Sequence, residues 1–251
     1  LTINPPPYRP IRPIQVSERW FPEGRQFGLY EHQGQVAPNV TSILSKAYPF
    51  DRAAWAAKEP GIDHDAVTAE AAQRGTAVHQ AMEYWLSGES DQYSPDLGPW
   101  VEPLRTLVAK ATLTLAIEIP VHHTIDGVGA YAGSCDGLML VGNDVVIIDY
   151  KTKRHNKKVW PQYTDKQRLQ LAAYSIAINA LYGDQLPGPV ARTSLLFAHP
   201  DEGRPPTVVS TAGDQLLHYQ QRWVELLRDW YADNGSGVET EQLKWTTQLA
   251  A

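Results

Sequence analysis

Asp136, Asp149 and Lys151 interrupt an otherwise apolar run, GSCDGLMLVGNDVVIIDYKTK, that extends from Gly133 to Lys153. Gly142-Asn143 fits a two-residue hairpin loop, because glycine tolerates the positive φ such turns require. With those two residues as the loop, Val141 faces Asp144, and counting outward sets Asp136 opposite Asp149. Directly opposed side chains have Cβ atoms ~5 Å apart. Two carboxylates that close repel and destabilise the ribbon unless a cation lies between them. Oxygen donors suit a hard ion such as Mg²⁺ or Mn²⁺. Lys151 lies two residues beyond Asp149, on the same strand face, while Tyr150 points away. Such a patch can bind a hard cation and steady developing negative charge. Moving the turn by one residue, to Asn143-Asp144, instead sets Asp136 opposite Lys151 as a plain cross-strand ion pair.

A sheet with covering helices must hold this patch in place. "LTLAIEIPV", Tyr131 to Val141, Val145 to Tyr150, "TSLLFAH" and "PTVVS" carry strand patterns. Helical periodicity extends from about Asp65 to Leu86, with Ala72, Val78, Met82 and Trp85 on the apolar stripe and Gly88 as the stop. Further helices are expected over Trp100–Thr112, Asp165–Leu181 and Gly213–Tyr231. Short helices follow Val40, with Thr41 or Ser42 capping one and Asp51 another. Residues 1–40, beginning with "PPPYRPIRP" after four residues, read as an extended, proline-rich segment laid across the rest. The expected architecture is α/β: residues 41–251 as one domain, with a helical segment at about 41–113 and a central mixed sheet flanked by helices.

The chain has 251 residues, 43% apolar and 20% charged, and a net charge of −6, which argues against a general nucleic-acid coat. One local exception is the basic cluster of Lys151, Lys153, Arg154, Lys157 and Lys158. Cys135 is the single cysteine, so no disulfide or multi-cysteine metal cluster forms within one chain. No apolar run approaches the ~20 residues that span a bilayer. With no secretory leader pattern at Leu1, cytoplasmic residence is the expectation.

Asp136, the hairpin and Asp149-Tyr150-Lys151 together resemble the PD-(D/E)XK nuclease core, here a restriction-endonuclease-like sheet. More narrowly the chain resembles RecB-type exonucleases. "RGTAVH", Arg74 to His79, is similar to their histidine motif, and "QLAAY", Gln170 to Tyr174, to their Gln-x-x-x-Tyr motif. "VTSIL", Val40 to Leu44, fits the branch of phage-type and mitochondrial genome-maintenance exonucleases. The resemblance covers roughly Val40 to Tyr182.

The resemblance implies metal binding by His79, Asp136 and Asp149, with the carbonyl of Tyr150 as an extra ligand. Lys151 would act on the attacking water or the developing charge, and Gln170 and Tyr174 would orient Lys151 or hold a phosphate. Glu118, alternating with Leu115, Ile117 and Ile119, is either a further ligand or a solvated strand residue. Glu83, one turn past His79, reads more simply as a surface residue. DNA would be held by Lys153, Arg154, Lys157, Lys158 and Arg74, with Trp160 stacking on an unpaired base. Some RecB-type members carry an iron–sulfur cluster on four cysteines, which Cys135 alone cannot supply. The implied activity is an Mg²⁺- or Mn²⁺-dependent exonuclease acting on single-stranded DNA or DNA ends. An endonuclease of the same core, a catalytically idle DNA-binding module and a structural salt bridge in an unrelated protein stand as alternatives.

Overall fold

The structure, a computed structural model, describes residues 3–155, 159 and 164–250. The chain first forms a small antiparallel ribbon, β1 (Leu29–His32) and β2 (Gln35–Pro38), then helices α1 (Val40–Ala47), α2 (Arg52–Lys58), α3 (His64–Ser87) and α4 (Gly98–Val108). Three long antiparallel strands follow, β3 (Leu113–Ile125), β4 (Gly129–Val141) and β5 (Asp144–Thr152). Helix α5 (Asp165–Tyr182) crosses to β6 (Val190–Ala198), which β7 (Thr207–Ala212) and α6 (Gly213–Leu249) follow. The main sheet has the order β3-β4-β5-β6-β7, and β5 with β6 is its parallel pair, as expected for strands joined by a helical crossover.

The sheet is covered on both faces, which explains why β5 reads as a continuous apolar run. On one side Val146, Ile148 and Tyr150 pack with Val78, Met82 and Trp85 of α3 and Val101 and Leu104 of α4. On the other, Ile147 and Leu195 pack with Leu169 and Ala173 of α5 and Trp223 and Leu227 of α6. Asp149 and Lys151 alternate with Tyr150 and so point toward the α5 side.

The hairpin has the expected register, with Val141 opposite Asp144 and Gly142 at φ +63°. Pairing between β4 and β5 ends, however, at Gly137–Ile148. Beyond that point β4 pairs with β3, out to Ile125–Gly129, while β5 pairs with β6, out to Thr152–Ala198. The two middle strands therefore part at Asp136 and Asp149, opening a fork in the sheet.

Two sequence expectations are corrected. The first helix is capped by Asn39, whose Oδ1 accepts from Ser42 N–H at 2.7 Å, rather than by Thr41 or Ser42. Within residues 1–40, residues 7–11 lie along β3, with Ile11 N–H donating to the Leu115 carbonyl at 2.9 Å, and residues 29–38 form the small ribbon. The last helix does not end at Tyr231 but continues through Gly235 and Gly237 to Leu249. A Cβ at position 237 would lie 3.2 Å from Phe27 Cζ, so the glycine lets the helix close on the N-terminal segment. That contact repays the low helix propensity of glycine.

Candidate active site

The candidate site lies at the fork. Asp136 sits where β4 leaves β5, and its Oδ2 accepts the Tyr150 N–H at 2.8 Å. The carboxylate thereby takes over the hydrogen bond that the parted strand no longer supplies. His79 approaches from α3. Its Nε2–H donates to the Tyr150 carbonyl at 2.9 Å, and its Nδ1 lies 3.4 Å from Asp136 Oδ2. The carbonyl can only accept, so Nε2 carries the proton of that bond, and Nδ1 faces Asp136.

Glu118 completes this group from the neighbouring strand. Its backbone has φ +47°, left-handed and unusual for a strand residue that is not glycine. The pairing of β3 with β4 slips by one residue between Thr114 and Ala116, and Ser134 donates its hydroxyl to Glu118 Oε2 at 3.0 Å. One ligand atom from each of His79, Glu118 and Asp136 lies within 4.8 Å of the others. A cavity of about 440 Å³ opens in front, lined by Gly75, Thr76, His79, Gln80, Glu83 and Glu118.

Asp149 is 2% exposed and is not one of those three. Its Oδ2 pairs with Lys151 Nζ at 2.6 Å. Burial pulls the Lys151 ammonium down, but the charges of Asp149 and Asp136 outweigh it and leave the pKa above its ordinary value. Burial, then the charge of Asp149, push the Asp136 carboxyl up to about 7, against the opposing pull of His79 and Lys151. Glu83 is also raised, first by burial and then by Glu118. Burial pushes the Cys135 thiol up as well, far from the range of a reactive thiolate.

A family model for the PD-(D/E)XK nuclease superfamily matches residues 114–243, just over half of the chain. The chain belongs to the PD-(D/E)XK nuclease superfamily. The five-stranded mixed sheet with helices on both faces is the α/β arrangement expected of a PD-(D/E)XK protein. Among solved structures, SSO0001 is similar at 15% identity and TM-score 0.40, with 75% of this chain and 74% of that chain covered. A protein of Eubacterium rectale described as a candidate exonuclease is similar at 10% identity and TM-score 0.42, with 68% of each chain covered. No curated protein matches the sequence.

Divalent ions serve PD-(D/E)XK nucleases, and the donors present suit one. Two carboxylates and an imidazole converge, and Asp136 is held at a pKa that neighbouring positive charge would relieve. The Tyr150 carbonyl orients the His79 ring from behind, as such partners commonly do for metal-ligating histidines. No described helix is long and apolar enough to cross a membrane.

The remaining predicted residues scatter around this centre. Gln170 Nε2 donates to the Tyr174 hydroxyl at 3.3 Å, and the Tyr174 ring is buried against β4. A Cβ at Gly133 would lie 2.8 Å from the Tyr174 hydroxyl oxygen, so this glycine makes room for the motif tyrosine. Burial raises the Tyr174 pKa, which keeps the phenol neutral. The Arg74 side chain is only 9% exposed, bonded to Glu70 and stacked over Trp100, so protein already engages its guanidinium. Lys153 and Arg154 follow β5 and are partly exposed. Lys157, Lys158 and Trp160 lie outside the described residues. Sequence reasoning missed Ser134, which would have emerged had β3 been aligned to β4, and Trp100, which no local signal marks.

Proposed function

We propose that the chain is a divalent-metal-dependent deoxyribonuclease of the RecB type, an exonuclease on single-stranded DNA or DNA ends. The observation that carries this reading is the convergence of His79, Glu118 and Asp136 beside the buried Asp149–Lys151 pair at the fork. His79, Glu118 and Asp136 would hold Mg²⁺ or Mn²⁺, with Asp149 acting through its field and through Lys151. A cation so held would supply Lewis acidity, polarising a phosphate oxygen and lowering the pKa of water.

The chain's own residues do the rest. Asp149 keeps Lys151 charged and directed at the fork, where its ammonium meets negative charge growing on the phosphate. Tyr150 presents its N–H to Asp136 and its carbonyl to His79, so the backbone of one residue orients two of the ligands. Lys153 and Arg154 leave the sheet two and three residues beyond Lys151, where they can meet the phosphate backbone. The order of the RecB-like motifs favours an end-directed reading over an endonuclease.

The test is digestion of end-labelled single- and double-stranded DNA with Mg²⁺ or Mn²⁺, comparing the parent with Lys151→Ala. Stepwise loss of labelled mononucleotides or short fragments, metal-dependent and reduced in the variant, supports the reading. Equal cleavage by both proteins, or none by the parent on any substrate, overturns it.

A further inference from the structure

We infer that Trp100 is a positioning residue for nucleic-acid binding, which fixes the point where the basic segment leaves the catalytic strand and ties it to the histidine helix through Arg74. This rests on the nuclease reading above. Trp100 lies in the first turn of α4 and donates its indole Nε1–H to the Lys153 carbonyl at 2.9 Å. The Lys153 N–H donates to the Ala198 carbonyl at 2.8 Å. The peptide groups of Lys153, two residues beyond Lys151, are therefore held from both sides just after β5 ends at Thr152.

The same indole carries Arg74, whose Cζ lies 5.2 Å from the ring centroid. Arg74 Nη1 donates to Glu70 Oε1 at 3.1 Å, and its Nε is buried without a hydrogen-bond partner. A planar guanidinium removed from solvent and laid on an aromatic face is a rigid contact, unlike a long side chain free to follow a phosphate. Arg74 is five residues before His79 on α3. One tryptophan thus joins the helix bearing a metal-ligand candidate, helix α4 and the exit of the strand bearing Asp149 and Lys151. A tryptophan serving only to fill space needs no donor on that exit carbonyl. The bond sets the direction in which Lys153 and Arg154 depart, and so where a phosphate backbone meets the fork.

The test is steady-state cleavage of labelled single-stranded DNA with Mn²⁺, over a series of salt concentrations, by the parent, Trp100→Phe, Arg74→Lys and the double variant. Phenylalanine keeps a ring beneath Arg74 and removes the N–H. Trp100→Phe is expected to raise KM about three- to tenfold, the usual worth of one hydrogen bond, with kcat changed less than about twofold. Its salt dependence becomes shallower, by about one phosphate contact or less. Mn²⁺ affinity, measured by calorimetry without DNA, stays at the parental value. Arg74→Lys keeps the charge but loses the flat stack, so KM shifts the same way, and the double variant is no worse than the stronger single one. A lower melting temperature with parental KM and salt dependence would mean that Trp100 only packs, and the inference fails. A fall in kcat at unchanged KM also overturns it, and additive effects in the double variant remove Arg74 from the device. A parent that neither binds nor cuts DNA overturns the nuclease reading and this inference together.

Discussion

Replacing Asp136 by asparagine should abolish cleavage and yet make the metal-free protein more stable. The carboxyl has a pKa of about 7 in the folded chain against an ordinary 3.8. Between those values the fold keeps a proton that the unfolded chain releases, so stability falls as pH rises across the interval, and the loss is complete above pH 7. At about 1.4 kcal/mol for each tenfold in proton affinity, the rise amounts to roughly 4 kcal/mol. The side chain keeps 13% exposure, so about 2–4 kcal/mol is the expected gain. Asparagine never ionises, and its carbonyl oxygen can still accept the Tyr150 N–H. For a domain of this size the gain corresponds to roughly 5–15 °C in melting temperature at pH 8. Thermal unfolding in EDTA from pH 4 to 8.5 should show the two proteins nearly equal at pH 4, with the gap widening to a plateau above pH 7. Mn²⁺ should raise the parent's melting temperature most at high pH and the variant's far less. A variant as stable as the parent, or less stable, at pH 8 without metal would refute the reasoning, as would a difference independent of pH.

Lys151→Ala should reduce cleavage about 100-fold or more and also destabilise the protein by about 3 kcal/mol, because Asp149 is left buried and unpaired. Asp149→Asn combined with Lys151→Met should recover most of the melting temperature and none of the activity. Glu118→Gly should be more stable than Glu118→Ala by about 1–2 kcal/mol, since glycine accepts φ +47° and alanine does not. Both should weaken Mn²⁺ binding in a calorimetric titration. Gly133→Ala should cost about 1–3 kcal/mol through collision with Tyr174, and Tyr174→Phe should recover part of it in a double-mutant cycle of melting temperatures.

The sequence carries local features well and long-range ones poorly. Short apolar runs on either side of Gly142-Asn143 give β4, β5 and the register that brings Asp136 and Asp149 level, and the 3.6-residue stripe gives α3 with His79. The fork is not legible, because it depends on where β4 stops pairing with β5 while keeping β3 on its other edge. The exact placement of Glu118 depends on a slip near Leu115 and on a left-handed φ, neither of which alternation encodes. The ribbon at residues 29–38 was missed because its strands are four residues long and turn at Gln33-Gly34, a weaker signal than Asn-Gly. The continuation of α6 past Tyr231 is not legible because Gly235 and Gly237 are poor helix formers, and what offsets this is the close approach of Gly237 to Phe27, a contact distant in sequence.

That long helix has a consequence for how the protein comes into being. Gln242 receives the Val36 N–H at 2.6 Å and donates to the Gly34 carbonyl, and Trp245 stacks on Trp20 with centroids 5.6 Å apart. Residues translated early must wait some two hundred codons for the segment that secures them. Until then the ribosome holds a nascent chain with this seam unsewn, its Trp20 side chain and the ribbon's outer edge open to chaperones and proteases.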